Sequence, residues 1–181
     1  LKRVAEKAGA APNRVDVIPN GVDCVRFGQV FPDTRKDFYE KSGFPSGAKL
    51  VITASRLVPK NGVDVLIRAL AVPPKNHREH LVVAGTGPEE ANLRSLAREL
   101  DVEKRVHFLG DVTHDELARW YGVAHVFARP SRSEGLGSAF LEAMAAGLPV
   151  VGTDVGGIPD FLTHNETGVF VKVDDSHDLI Y

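Results

Sequence analysis

The feature that most narrows the possible folds is an alternation. Short apolar runs rich in valine recur at 50–54, 80–84, 106–109, 125–128, 149–153 and 168–173. Between most of them lies a stretch of helical period, at 63–71, 89–100, 115–121 and 138–146. The runs are too short for helices and apolar at successive positions, which is the pattern of strands covered on both faces. Strand and helix repeated in this way demand parallel pairing with right-handed crossovers. The expected fold class is therefore α/β, a doubly wound parallel sheet with helices on both faces. Such sheets bind ligands in the crevice outside the carboxyl ends of their strands, so the loops leaving the strands are where chemistry is expected.

Local signals refine the boundaries. Asn61-Gly62-Val63-Asp64 and Thr113-His114-Asp115-Glu116 resemble capping boxes, and Pro88 stands where a first-turn proline belongs. Before residue 50 the pattern is weaker. It comprises a helix already under way at 1–8, a strand at 15–18 closed by Pro19 and Asn20-Gly21, and a short helix at 34–42 ended by Gly43. At the other end, Asp174-Asp175 reads as the cap of a helix just beginning. These ends lead to the expectation that 1–181 is a single domain from a longer protein, without that protein's N-terminal domain and C-terminal end.

Composition removes several function classes. With 22 Lys+Arg against 24 Asp+Glu, a formal net charge of −2 supplies no field that selects nucleic acid or an anionic membrane. Cys24 is the single cysteine, so neither an internal disulfide nor a thiolate zinc site is available. No apolar run reaches the ~18 residues that span a bilayer. The chain therefore reads as cytoplasmic, with no transmembrane segment; peripheral membrane attachment is left to the absent domain. There is no His-x-x-x-His, Cys pair or Asp-x-Asp loop, so no metal and no resident cofactor is expected. A Gly-x-Ser-x-Gly elbow and a Walker loop are also absent, as is Gly-x-Gly-x-x-Gly after the first strand.

Two segments carry the candidate chemistry. The first runs from Pro130 to Pro149 and holds Ser131-Arg132-Ser133-Glu134-Gly135-Leu136-Gly137-Ser138, followed by Leu141-Glu142-Ala143-Met144. Gly135 and Gly137 allow a tight turn, and a helix starting near Ser138 offers free N–H groups and its positive dipole end, a setting for a diphosphate. Glu134 and Glu142 then bring two carboxylates toward one pocket, and acceptor-only oxygens suit the vicinal hydroxyls of a sugar or ribose. Taken by themselves, the glycines are a turn and the glutamates solvated helix-start residues. The second segment is Ser55-Arg56-Leu57-Val58-Pro59-Lys60-Asn61-Gly62, where Arg56 and Lys60 can neutralise a diphosphate or can be ordinary surface cations. Gly85 and Gly87 follow a strand and so fall on the same edge.

Together these segments strongly resemble the Glu-x7-Glu pattern and the Gly-Arg-Leu-x-x-x-Lys-Gly loop of family 4 glycosyltransferases, group 1 type. Ile18-Pro19-Asn20-Gly21, Val83-Ala84-Gly85-Thr86-Gly87-Pro88, Phe108-Leu109-Gly110 and Thr167-Gly168 also match in order and spacing. Members have the two-domain GT-B fold and transfer with retention. The resemblance implies a Rossmann-like C-terminal domain that binds a UDP-, GDP- or ADP-sugar without metal, while the absent N-terminal domain holds the acceptor. It further implies that Glu134 contacts the donor sugar, Glu142 the ribose, and Arg56 and Lys60 the diphosphate. Gly85, Gly87, Gly135, Leu136, Gly137 and Ser138 would complete the donor site. Two departures stand out. The lysine comes one place early, leaving Asn61 in its usual position, where it reads as a helix cap; and His125, read as structural, replaces the usual Asp. The alternatives are another GT-B enzyme, an epimerase or phosphorylase, and a non-catalytic nucleotide-binding module.

Overall fold

The computed structural model describes residues 2–16, 18, 20–29, 31, 35–72 and 78–179. Six strands, β1 (Lys49–Ala54), β2 (Glu79–Ala84), β3 (Val106–Gly110), β4 (Val126–Arg129), β5 (Val150–Thr153) and β6 (Val169–Val171), form one sheet in the order β3-β2-β1-β4-β5-β6. Every pairing between them is parallel. The helices are α1 (Lys2–Lys7), α2 (Cys24–Phe27), α3 (Arg35–Ser42), α4 (Val63–Ala71), α5 (Glu90–Glu99), α6 (His114–Val123) and α7 (Ser138–Ala145).

Strand residues alternate between two cores, which is why the strands must be apolar throughout. Leu50, Ile52, Ala54, Val82, Ala84, Phe127 and Val150 face the core built with α2, α3, α6 and α7. Leu81, Val83 and Ala128 face the one built with α4 and α5. Phe127 and Phe140 are wholly buried and meet edge to face at 5.0 Å, each contributing about 1.5–3 kcal/mol through burial. The chain winds from β1 through α4, β2 and α5 to β3, then passes by α6 to β4 on the other side of β1. β1 and β4 are thus neighbours whose onward loops run to helices on opposite faces, and a crevice opens between them.

The doubly wound fold of the sequence reading is present, with differences at the margins. Thr113 and Glu116 form the reciprocal capping box, at 3.2 and 2.8 Å. No such box starts α4: its N-cap is Gly62, with no side-chain bond, and buried Asn61 points its amide elsewhere. Pro88 precedes the α5 N-cap, Glu89, instead of standing in the first turn. Val15, Asp16 and Ile18 belong to no strand, and Ile18 is 87% exposed, without the cover a strand of this sheet has; Val17 lies outside the described residues. The short helix is α3, and Thr34 likewise lies outside them. Residues 175–179 form bends and a turn and no helix, although the Asp175 carboxylate accepts the N–H groups of His177 and Asp178 at 3.0 and 3.2 Å, as a cap would; Ile180 and Tyr181 lie outside the described residues.

Candidate functional site

The loop from β1 to α4 is braced from two sides. On its inner side the Asn61 amide donates to the Arg56 carbonyl at 2.7 Å, closing the turn on itself. On its outer side stands Arg132. Its backbone N–H donates to the Lys60 carbonyl at 2.7 Å, and its guanidinium donates to the Pro59 carbonyl. That guanidinium also grips Asp64 on α4 with two bonds of 2.9 and 2.7 Å, and lies 2.6 Å from the Asp174 carboxylate. Asn61 is buried and Lys60 exposed, and both line the cleft. Asn61 is a tether of the loop, because its amide finds a backbone carbonyl here and not the first turn of α4.

The loop from β4 to α7 folds over a buried ion pair. Arg129, the last residue of β4, pairs with Glu134, their side chains 7% and 11% exposed. The second Glu134 oxygen accepts the Gly135 N–H at 2.9 Å. Arg129 also reaches the Ala54 carbonyl at 3.4 Å and lies 5.0 Å over the Phe140 ring. Burial pushes its guanidinium below the ordinary value, and the Glu134 carboxylate is the main opposing influence. The turn after β5 supports this loop from behind. A Cβ on Gly156 would stand 1.8 Å from the Glu134 carbonyl oxygen, and one on Gly157 would stand 2.1 Å from that of Gly135.

Two clefts open where these loops meet. The larger, about 810 Å³, brings together Arg56, Lys60, Glu134, Leu136, Gly137 and Ser138, with Arg129 and Asn20 also on its wall. The smaller, about 480 Å³, is lined by Arg56, Gly85, Gly87, Glu142 and Asp111, among others. Ser55 and Arg56 belong to both. Gly85 and Gly87 let the chain after β1 pass close by, since a Cβ on either would stand 2.0 Å from the Ser55 oxygen or 2.3 Å from the Leu57 oxygen. Gly135 lines neither cleft and instead fixes Glu134 through its N–H.

Glu134 and Glu142 therefore face two adjoining clefts and not one pocket. Glu142 sits one turn inside α7 on the same face as Ala139, so it looks toward the β2 loop. Burial raises its carboxyl above the ordinary value, against the pull of His114 and Arg129.

Among the described residues, the buried side-chain atoms without a hydrogen-bond partner are Thr53 Oγ1, Ser55 Oγ, Arg129 Nε and Ser131 Oγ. All stand at or just beyond the carboxyl ends of the neighbouring strands β1 and β4. Each such atom costs about 1–3 kcal/mol, and their concentration here marks a place shaped for something other than stability.

Three contributors escaped the sequence reading: Arg129, Arg132 in its bracing role, and the Gly156-Gly157 pair. The glycine pair after a strand end was the available signal. His125 is structural, its Nδ1 accepting the Leu50 N–H at 3.1 Å and meeting the Tyr39 hydroxyl at 3.2 Å. Among the described residues no group of three or more His, Cys, Asp or Glu side chains is placed to hold a metal ion. No helix among them is long and apolar enough to cross a membrane.

Comparison with known proteins bears on this arrangement. The family model described as "Glycosyl transferases group 1" matches residues 34–180. The chain is 38% identical over 178 residues to a GDP-mannose-dependent alpha-(1-6)-phosphatidylinositol monomannoside mannosyltransferase of Mycobacterium tuberculosis, covering 93% of this chain and 45% of that protein. It is similar in structure to Anabaena HepE in complex with UDP-glucose, with a TM-score of 0.86 and 26% identity over 99% of this chain and 49% of the other. The C-terminal domain of a Francisella tularensis group 1 glycosyl transferase shares the fold, at a TM-score of 0.75 and 24% identity, covering 88% of this chain and 84% of that one. The chain spans about half the length of the curated relatives it matches.

Proposed function

The chain belongs to the group 1 glycosyl transferases, and from that membership we propose that it is the donor-binding half of a retaining enzyme that transfers a glycosyl group from a nucleotide sugar. The single observation that carries the reading is Arg56 on the wall shared by two clefts, with Lys60 and Glu134 in one and Glu142 in the other. A nucleotide sugar has that shape, with a nucleoside at one end, a sugar at the other and a diphosphate between. We assign the ribose to Glu142, the sugar hydroxyls to Glu134 and the diphosphate to Arg56, Lys60 and the first turn of α7. The acceptor goes to the part of the relatives' length that this chain does not cover.

In the reaction the oxygen of an acceptor hydroxyl bonds to the anomeric carbon as the bond to the diphosphate oxygen breaks; the leaving diphosphate keeps the electron pair and takes up the proton that the hydroxyl loses. The growing negative charge falls beside Arg56, Lys60 and the N–H groups of the helix start, donors that need little reorganisation. Leu136, Gly137 and Ser138 shape the backbone at that point. Of the unpartnered buried atoms, Ser55 Oγ and Arg129 Nε belong to residues that line the larger cleft, which supports a polar ligand there. The named relative uses GDP-mannose and the structural neighbour holds UDP-glucose, so both bases belong in the test.

Calorimetric titration of the chain with GDP, UDP and ADP, with and without Mg²⁺, examines the reading. One nucleotide is expected to bind equally well in both conditions. Glu142→Ala and Arg56→Ala should each weaken it about tenfold, the worth of a hydrogen bond to a charged group. Absence of binding to the folded chain, or binding indifferent to both substitutions, would leave a non-catalytic module as the better account.

A further inference from the structure

Arg129 has a geometry that the donor reading does not use. It lies on the floor of the larger cleft, nearly buried, in the company of Arg56, Lys60 and Glu134. Burying a guanidinium and a carboxylate together is rarely the cheapest way to stabilise a fold, since apolar side chains of similar size serve as well or better. A pair maintained only for stability would also be saturated. Here the Arg129 Nε has no partner, and neither does the hydroxyl of Ser55, which lines the same cleft.

The pair also settles where Glu134 points. One carboxylate oxygen takes the Arg129 guanidinium and the other the Gly135 N–H. Each oxygen keeps a lone pair for an incoming hydroxyl, and the carboxylate cannot rotate away. Gly137 makes room for the arrangement, because a Cβ there would stand 3.0 Å from Arg129 Nη2. Charge adds a second requirement. A carboxylate beside a diphosphate repels it unless a counter-charge stands next to it, and Arg56 and Lys60 are on a different loop from Glu134.

We propose that Arg129 is the positioning residue of the donor site: it holds Glu134 toward the donor sugar and cancels the Glu134 charge next to the diphosphate. This rests on the donor reading above. The substitution pattern is specific. Arg129→Met leaves Glu134 negative and unpaired, so affinity for the nucleoside diphosphate falls about tenfold or more. Adding Glu134→Gln removes the charge and restores that affinity, while the extra affinity for the sugar-bearing nucleotide stays lost. Arg129→Lys keeps the charge and so keeps binding of the nucleoside diphosphate.

The test is calorimetric titration of the chain and of R129M, R129K, E134Q and R129M/E134Q with two probe pairs, GDP with GDP-mannose and UDP with UDP-glucose. Restoration of nucleoside diphosphate binding in the double variant supports the proposal, because a merely structural arginine is not rescued by changing its partner. Failure of that rescue in a variant that melts like the unaltered chain overturns it. If R129M does not fold, R129K decides: loss of nucleoside diphosphate binding in it overturns the counter-charge role, and retention supports it. If neither pair binds the unaltered chain, the donor reading fails and takes this proposal with it, a result distinct from a failed rescue.

Discussion

Gly156→Ala offers a sharp test of how the β4–α7 loop is held, because a matched control exists in the same molecule. Gly156 has φ of +60° and Gly47 has φ of +80°. An alanine at either position meets the same backbone cost, about 1–2 kcal/mol for a left-handed residue with a Cβ. They differ in surroundings. At Gly47 the added Cβ meets nothing within 4 Å, whereas at Gly156 it would stand 1.8 Å from the Glu134 carbonyl oxygen. That atom is backbone, so relief requires moving either the turn after β5 or the loop that carries Glu134. Overpacking of this kind costs about 1–3 kcal/mol. Gly156→Ala should therefore lose about 2–5 kcal/mol in all, against about 1–2 kcal/mol for Gly47→Ala, measured as denaturant midpoints at constant slope. The displacement falls on Glu134, so binding of a nucleotide sugar should weaken in Gly156→Ala and be unchanged in Gly47→Ala. Equal destabilisation by the two, within about 0.5 kcal/mol, would refute the idea that this turn buttresses the loop.

Two other perturbations follow from the geometry. Arg132→Ala removes the guanidinium brace between Pro59, Asp64 and Asp174 and leaves the backbone bond to the Lys60 carbonyl in place; a loss of about 1–2 kcal/mol of stability is expected. Its binding defect should be larger for a nucleoside diphosphate than for the monophosphate, and equal defects in the two titrations would argue against a role in placing Lys60. Acid should destabilise the fold through its histidines. His80 and His107 share a hydrogen bond of 3.0 Å beside Phe44, and burial lowers both, as it does His125. The unfolded chain takes up those protons first, so stability is full above about pH 6.5 and declines as pH falls below it. Midpoints of denaturation at pH 7.5, 6.5 and 5.5 check the slope, which His107→Asn should flatten.

Much of the fold was legible because the strands obey one physical demand. A strand with a helical layer on each side needs apolar residues at every position, and 80–84 could hardly read otherwise. Helix α4 has the bounds its period predicts, Val63–Ala71. The candidate cations and carboxylates stand on the two clefts, whereas how they are held there was not legible. Asn61 can cap a helix or tie a loop, and the choice lies with a carbonyl five residues back that sequence does not locate. Arg129 falls just past the apolar run 125–128, and the return of Glu134 over it accounts for its burial. The spacing of Glu134 and Glu142 fixes a turn of helix between them, but which wall each faces depends on where the β2 loop passes. Gly156 matters because of a carbonyl far earlier in the chain.

The strand order carries a consequence for how the molecule assembles. With all pairings parallel there is no hairpin to nucleate the sheet, and every strand pair waits on the closure of a crossover. β3, β2 and β1 are joined by successive crossovers, as are β4, β5 and β6. The joint between these halves, β1 to β4, brings together residues 75 apart, such as Leu50 and His125. Loop closure makes that the most entropically demanding contact of the sheet. Arg56 comes from one half and Glu134 from the other, so the clefts do not exist until the joint has formed. A ligand reaching across them acts as a staple on that seam and stabilises the join that is hardest to make.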